Sequence, residues 1–110
     1  MSAARRKGST FARDICTYLA AQLGLPVERR VDGGSRDRGD VAGVPGWVLE
    51  AKACRAMDLS GWMDEALKEA ANDGAPYYAV VAKRRMKGTH QAYVVMPLEI
   101  WARWYSETTP

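Results

Sequence analysis

The sequence predicts a mixed α/β (α+β) domain in which a central mixed β-sheet is flanked by helices, with the elements in the order α-β-β-β-α-β-β-α. Two observations lead to this class. Apolar residues recur at spacings of three and four in two long segments, which is typical of amphipathic helices. Short β-branched or aromatic runs, bounded by Gly, Pro or basic turns, indicate strands. The chain has 110 residues, which fits a single domain over residues 1–110.

The first helix is predicted to begin at a capping Ser9 or Thr10, after a short basic arm at residues 1–8 that shows no periodicity. Gly24 is predicted to end this helix. The apolar positions that define it are Phe11, Ile15, Tyr18, Leu19 and Leu23.

Three strands are predicted in the segment that follows the first helix. The first strand covers residues 27–31, and a loop rich in Gly, Asp and Ser separates it from two strands at about 39–43 and 46–54. A Val-Pro-Gly turn joins the second and third strands, so these two are expected to form a hairpin.

The second half of the chain is predicted to contain a helix at 58–72, strands at 77–83 and 90–96, and a final helix that begins at Pro97. Three charged residues of the helix at 58–72 are predicted to lie off its apolar face: Asp64, Lys68 and Glu69. That face comprises Leu59, Trp62, Met63, Ala66, Leu67 and Ala70.

Composition predicts an ordinary globular protein. Apolar residues make up 47% and charged residues 26%, and no apolar run approaches the ~18 residues that a membrane span needs. The net charge of +3 is mildly basic and fits either a solvated surface or nucleic-acid binding. Cys16, Cys54 and the one histidine, His90, lack metal-ligand spacing, so no zinc site is expected. We expect a reduced cytoplasmic protein in which both cysteines are core residues and His90 is a partly exposed strand residue.

The segment from Asp40 to Lys52 carries charges that a buried strand does not need. Side chains alternate along a strand, so Glu50 and Lys52 share one face while Leu49 and Ala51 point to the other. Burying a carboxylate and an ammonium is costly unless both are paired. The pair therefore indicates a salt bridge, a ligand site or the exposed face of a strand.

Asp40 favours a ligand site if the hairpin brings it beside Glu50. Two adjacent carboxylates can hold a divalent cation such as Mg²⁺, or Mn²⁺ in its place, because such ions take hard oxygen ligands. Bound there, the ion can orient or deprotonate a water, and Lys52 offers a positive charge near the phosphate. The three residues together predict hydrolysis of a phosphodiester.

This prediction depends on the register of the hairpin. A tight two-residue turn would pair Val41 with Glu50 and point Asp40 away from Glu50. The site therefore requires an odd-length loop or a β-bulge, and Gly43 and Gly46 are the residues that permit one.

Several segments, in this order, resemble one nuclease family. "RRKGSTFARDICTYLA", "RDRGDVAG", "WVLEAKAC" and the two final β-rich runs are similar to the phage-encoded and archaeal-type Holliday junction resolvases of the PD-(D/E)xK superfamily. The resemblance covers nearly the whole chain. It implies a restriction-endonuclease-like fold, with Asp40 and Glu50 as ligands of Mg²⁺ and Lys52 as the catalytic lysine. It further implies a homodimer that binds four-way DNA in the cytoplasm during recombination and repair.

The chain departs from the family pattern on the first helix. Members usually carry a glutamate there as an additional metal-site carboxylate, and the matching position is Ala12. Asp14 is the nearest acid, but two residues along a helix rotate it by about 200°. Asp37 is another substitute. A catalytically impaired DNA-binding module and a related nuclease acting on duplex or nicked DNA therefore stay open as alternatives.

Three basic clusters are expected to contact the DNA backbone, because phosphate contacts supply most of the sequence-independent affinity. A loop serine beside the proposed site is expected to touch a phosphate as well. The predicted DNA-binding residues are Arg5, Arg6, Lys7, Ser35, Arg36, Arg38, Lys83, Arg84, Arg85 and Lys87.

Four aromatic residues are expected chiefly in the core, with a subunit interface or base stacking as alternative roles. They are Trp62 on the second helix and Trp101, Trp104 and Tyr105 on the last.

Overall fold

A computed structural model describes the backbone of residues 3–30 and 39–109 and the side chains of residues 10–30 and 39–109. Within these ranges the chain forms three α-helices, a short 3₁₀ helix and one five-stranded mixed sheet. The predicted mixed α/β class with a central sheet is confirmed. The elements in chain order are α1 (Ala3–Leu23), β1 (Glu28–Arg29), β2 (Val41–Ala42), β3 (Trp47–Lys52), α2 (Leu59–Asp73), β4 (Tyr77–Ala82), the 3₁₀ helix (Thr89–Gln91), β5 (Tyr93–Val95) and α3 (Leu98–Thr108).

The five strands lie side by side in chain order, β1-β2-β3-β4-β5. β1, β2 and β3 are antiparallel neighbours, and β4 and β5 are antiparallel as well. β3 and β4 are parallel, and a parallel pair needs a long crossover connection, which α2 supplies. β3 is therefore the central strand and has α2 as its immediate successor in the chain.

Each face of the sheet packs against helices. On one face, α1 places Phe11 and Ile15 against Leu49 and other inward-facing strand residues. On the opposite face, α2 and α3 contribute Trp62 and Ile100 to a second core. Because side chains alternate along β3, this central strand is buried on both faces. A charged residue in β3 is therefore forced into one of the two cores.

Several boundaries differ from the predicted ones. α1 begins at Ala3, so residues 3–8, predicted to be an arm without regular structure, have a helical backbone. Cys16 is buried as predicted, but Cys54 is exposed because β3 ends two residues before it. His90 is exposed and lies in the 3₁₀ helix rather than in a strand, because the backbone turns after Gly88 before β5 begins. No helix in the described part of the chain is both long and apolar enough to cross a membrane.

The β2–β3 hairpin has the register that the proposed site requires. Val41 pairs with Leu49 rather than with Glu50, so the connection between the two strands has odd length. The prediction of an odd-length loop or bulge is confirmed. Gly43 (φ +100°) and Gly46 (φ +85°) both adopt positive φ in this connection, as only glycine does readily.

Replacing Gly43 by alanine is expected to destabilise the protein. A Cβ at this residue would lie 2.5 Å from the carbonyl oxygen of Pro26 and 3.1 Å from Cα of Val27. Clash and positive φ together should lower the free energy of unfolding by about 1–3 kcal/mol, measured by urea denaturation. Gly24→Ala is the matched control, because Gly24 also has positive φ (+66°) but a Cβ added there would meet no atom within 4 Å. An equal loss in both variants would contradict a steric role for Gly43.

Candidate active site

Asp40 immediately precedes β2 and is held in place by three hydrogen bonds. Its backbone N–H donates to the carbonyl of Leu49 (3.1 Å), and its own carbonyl accepts from the N–H of Arg30 (2.7 Å). The carboxylate oxygen Oδ2 accepts from the backbone N–H of Ala51 at 2.8 Å. Ala51 lies between Glu50 and Lys52, so this bond ties the Asp40 side chain to the part of β3 that carries both predicted catalytic residues.

Glu50 is a buried carboxyl group in the middle of the sheet. Its side chain is on the α2 face of β3, the residue is 6% exposed, and Oε2 is buried without a hydrogen-bond partner in the described part of the chain. Burial, followed by hydrogen bonding and charge repulsion from Asp40 and Glu69, raises the pKa of Glu50 to about 12. Glu50 therefore carries a proton at neutral pH when no cation is bound.

Glu69 is a site residue for which the sequence-based prediction is wrong. Its place in the helical pattern predicts a position off the apolar face of α2, yet it is 2% exposed and its carboxyl group lies close to that of Glu50. The buried stripe of α2 consists of Trp62, Ala66, Glu69 and Ala70, whereas Leu67 is 54% exposed. Spacings of three and four from Trp62 and Ala66 reach Glu69, so the helical period is the signal that could have identified it.

Lys52 is paired with α2. Its Nζ donates to Oε2 of Glu65 at 3.1 Å and lies 6.0 Å from the centroid of the Trp62 ring. Burial lowers the pKa of Lys52, but the hydrogen bond and charge of Glu65 raise it by more, so the pKa lies above its ordinary value. Lys52 is therefore an ammonium at neutral pH. Sequence reasoning did not identify Glu65, because no local pattern relates it to β3.

The Asp40–Glu50 pair fits a hydrated divalent cation. No three His, Cys, Asp or Glu side chains in residues 10–30 and 39–109 are placed so that they could together hold a metal ion. Mg²⁺, however, is usually held by one or two carboxylates, with water and substrate phosphate filling its remaining positions. Oε2 of Glu50, buried and without a hydrogen-bond partner among the described residues, is the kind of oxygen that such an ion would satisfy.

Ala12 does not face this pair. It is 3% exposed and packs in the core between α1 and the sheet, together with Leu49 and Ala51. Glu50 points to the opposite face, toward α2. A carboxylate at position 12 would thus be buried among apolar side chains, and the additional acid near Glu50 comes from α2 instead, as Glu69. Asp37 lies outside the described residues.

The basic turn after β4 begins beside the site. The backbone N–H of Lys83 donates to the carbonyl of Lys52 at 2.9 Å, so both residues lie at the same end of the sheet. The guanidinium of Arg84 packs 5.1 Å from the ring centroid of Tyr93, and Arg85 and Lys87 are exposed. The other predicted DNA-binding side chains lie outside the described ones: Arg5, Arg6, Lys7, Ser35, Arg36 and Arg38.

The aromatic residues divide between the core and the surface. Trp62 is 6% exposed and belongs to the core between α2 and the sheet, as expected. Trp101, Trp104 and Tyr105 are 47%, 36% and 51% exposed, so the expectation of core packing is wrong for them. α3 docks chiefly through Ile100, which is 2% exposed, and the Trp104 ring adds an edge contact with the Trp47 ring of β3 at 6.5 Å between centroids.

Comparisons of the chain with protein-family models, with curated proteins and with solved structures find no match.

Proposed function

We propose that this protein is a metal-dependent DNA endonuclease that hydrolyses phosphodiester bonds in branched DNA. The observation that carries the proposal is the placement of Asp40 beside Glu50, whose Oε2 is buried without a hydrogen-bond partner in the described ranges, with Lys52 two residues further along the same strand. A carboxylate pair can hold a metal ion that activates water, and a neighbouring ammonium can stabilise the negative charge of the phosphodiester that the water attacks.

Asp40 and Glu50 are the residues that would hold Mg²⁺ or Mn²⁺. When bound, the ion supplies Lewis acidity and lowers the pKa of a coordinated water. Glu50 must lose its proton to act as a ligand, so cation affinity should rise with pH. Lys52, already an ammonium, acts as a positive charge toward the phosphoryl oxygens rather than as a base. Hydrolysis breaks one phosphorus–oxygen ester bond and leaves a phosphate monoester and a hydroxyl group.

The basic turn at residues 83–87 supports DNA as the substrate. It starts at the end of β4 that adjoins Lys52, so a backbone lying across this edge of the sheet would meet positive charge next to the carboxylate pair. More specifically, we propose a restriction-endonuclease-like fold and the resolution of Holliday junctions. Its support is the resemblance of the sequence, together with a five-stranded mixed sheet in which Asp40 immediately precedes β2 and Glu50 lies on the neighbouring strand β3.

A homodimer is part of the proposal. One domain with one site cuts one strand at a time, whereas a junction is resolved by paired cuts on opposing strands, and two-fold symmetry supplies the second site. The exposed aromatic face of α3, formed by Trp101, Trp104 and Tyr105, provides apolar surface for such an interface.

The test is cleavage of a panel of labelled DNAs by the purified protein. An immobile four-way junction, a nicked duplex and a linear duplex of the same sequence are incubated with Mg²⁺, with Mn²⁺ and with a chelator. We expect symmetric cuts in the junction that require the cation, and binding that weakens steeply with salt. Light scattering is expected to give the mass of a dimer.

Each result separates one alternative from the proposal. Equal cutting of junction and duplex, or a monomer at working concentration, would favour a general nuclease. Tight junction binding without cation-dependent nicking would indicate a DNA-binding module that has lost cleavage.

A further inference from the structure

We propose that Glu65 is a positioning residue for Lys52: it holds the lysine ammonium against α2, beside Glu50, in the orientation that the reaction uses. This inference rests on the proposed nuclease function and adds a residue that the sequence resemblance does not include.

Two residues of α2, Trp62 and Glu65, lie against the Lys52 ammonium. Oε2 of Glu65 accepts a hydrogen bond from Nζ at 3.1 Å, and the Trp62 ring centroid lies 6.0 Å from Nζ. Trp62 and Glu65 are three positions apart, which places them one turn apart on the same side of the helix. Trp62 is 6% exposed and packed in the core, so its ring has a defined position beside Lys52.

The exposure of Lys52 and Glu65 favours a positioning role for Glu65 over a role in folding stability. The Lys52 side chain is 19% exposed, whereas that of Glu65 is 51% exposed and reaches Lys52 from the rim of the site. An ion pair with one half-exposed partner adds little to folding stability. Its stronger effect is on Lys52 itself, whose long flexible side chain would otherwise sample many rotamers.

The contacts of Lys52 with α2 lie next to the proposed catalytic residue Glu50. Lys52 and Glu50 lie on the same face of β3, and Glu65 and Glu69 lie one turn apart on α2 opposite them. α2 thus faces both functional residues of the strand, with Glu65 at Lys52 and Glu69 at Glu50. A bound phosphate would meet an ammonium already restricted to this side of the sheet, which lowers the ordering required to reach the transition state.

The experiment compares Glu65→Gln with Asp64→Asn, which removes one carboxylate from an adjacent, exposed position of the same helix. We expect Glu65→Gln to lower kcat for junction cleavage about tenfold, with junction affinity and thermal midpoint almost unchanged. Asp64→Asn should match wild type. Glu65→Asp, which keeps the charge, should retain most of the activity.

A double-mutant cycle and a spectroscopic measurement test whether Glu65 affects the rate through Lys52. In a Lys52→Ala background, Glu65→Gln should change the residual rate by less than about twofold, because its target is absent. In ¹H–¹⁵N spectra of lysine ammonium groups, the Lys52 signal should be protected in wild type and Asp64→Asn and lost in Glu65→Gln.

Failure of the inference and failure of the nuclease proposal are distinguishable. No cation-dependent cleavage by wild type would overturn the nuclease function. Wild-type cleavage with an unchanged kcat in Glu65→Gln, or an equal loss of rate with and without Lys52, would overturn the positioning role of Glu65 alone.

Discussion

Asp40→Asn and Glu50→Gln are each expected to reduce junction cleavage by about 10³-fold or more while leaving junction affinity close to that of wild type. The cation that these carboxylates would hold stabilises charge in the transition state by several kcal/mol, and about 4 kcal/mol corresponds to three orders of magnitude in rate. Affinity for DNA is expected to rest instead on Arg and Lys contacts with phosphates. Single-turnover cleavage rates and a binding titration on the same junction measure the two quantities separately.

Asparagine at position 40 preserves an oxygen that can accept the hydrogen bond from the Ala51 N–H, so this variant tests chemistry rather than the hairpin. Glu28→Gln, an exposed acid on β1, is the matched control and should cleave normally. Lys52→Ala is expected to lose activity as well, though less completely. A near-normal rate in Asp40→Asn or Glu50→Gln would remove that residue from the mechanism.

The second large effect concerns stability as a function of pH. Glu50 has an ordinary pKa of about 4.3 in the unfolded chain, and burial raises it to about 12 in the folded protein. Between these values the unfolded chain has released the proton and the folded protein still holds it. Glu50 therefore lowers the free energy of unfolding as pH rises, by up to about 4 kcal/mol from pH 5 to pH 8.

Glu50→Gln should remove this contribution. In the presence of a chelator, urea unfolding of wild type and variant is measured from pH 5 to pH 8, and the difference between them should shift steadily in favour of the variant. Glu28→Gln, at an exposed position of β1, is measured alongside as the control variant. Parallel curves for Glu50→Gln and wild type would show that Glu50 ionises normally in the folded protein.

Much of the framework of the site could be predicted from local sequence. The alternation of side chains along β3 placed Glu50 and Lys52 on one face, and the glycines at positions 43 and 46 indicated the odd-length connection that the hairpin has. The helix at 58–72 lies within a residue or so of the observed bounds of α2, because Asp58 caps its start and Gly74 ends it. These features depend on residues only a few positions apart, so they can be predicted from local sequence patterns.

The sequence by itself thus determined the mixed α/β class, the charged face of β3 and the condition on the hairpin register. The tertiary structure alone decided which side chains meet: Asp40 bonds to Ala51, Glu69 lies beside Glu50, and Glu65 reaches Lys52. It also placed Trp101, Trp104 and Tyr105 at the surface. The reason is that helical and strand periods define which residues share a face, whereas the rotation of α2 and α3 against the sheet is set by packing between residues distant in sequence.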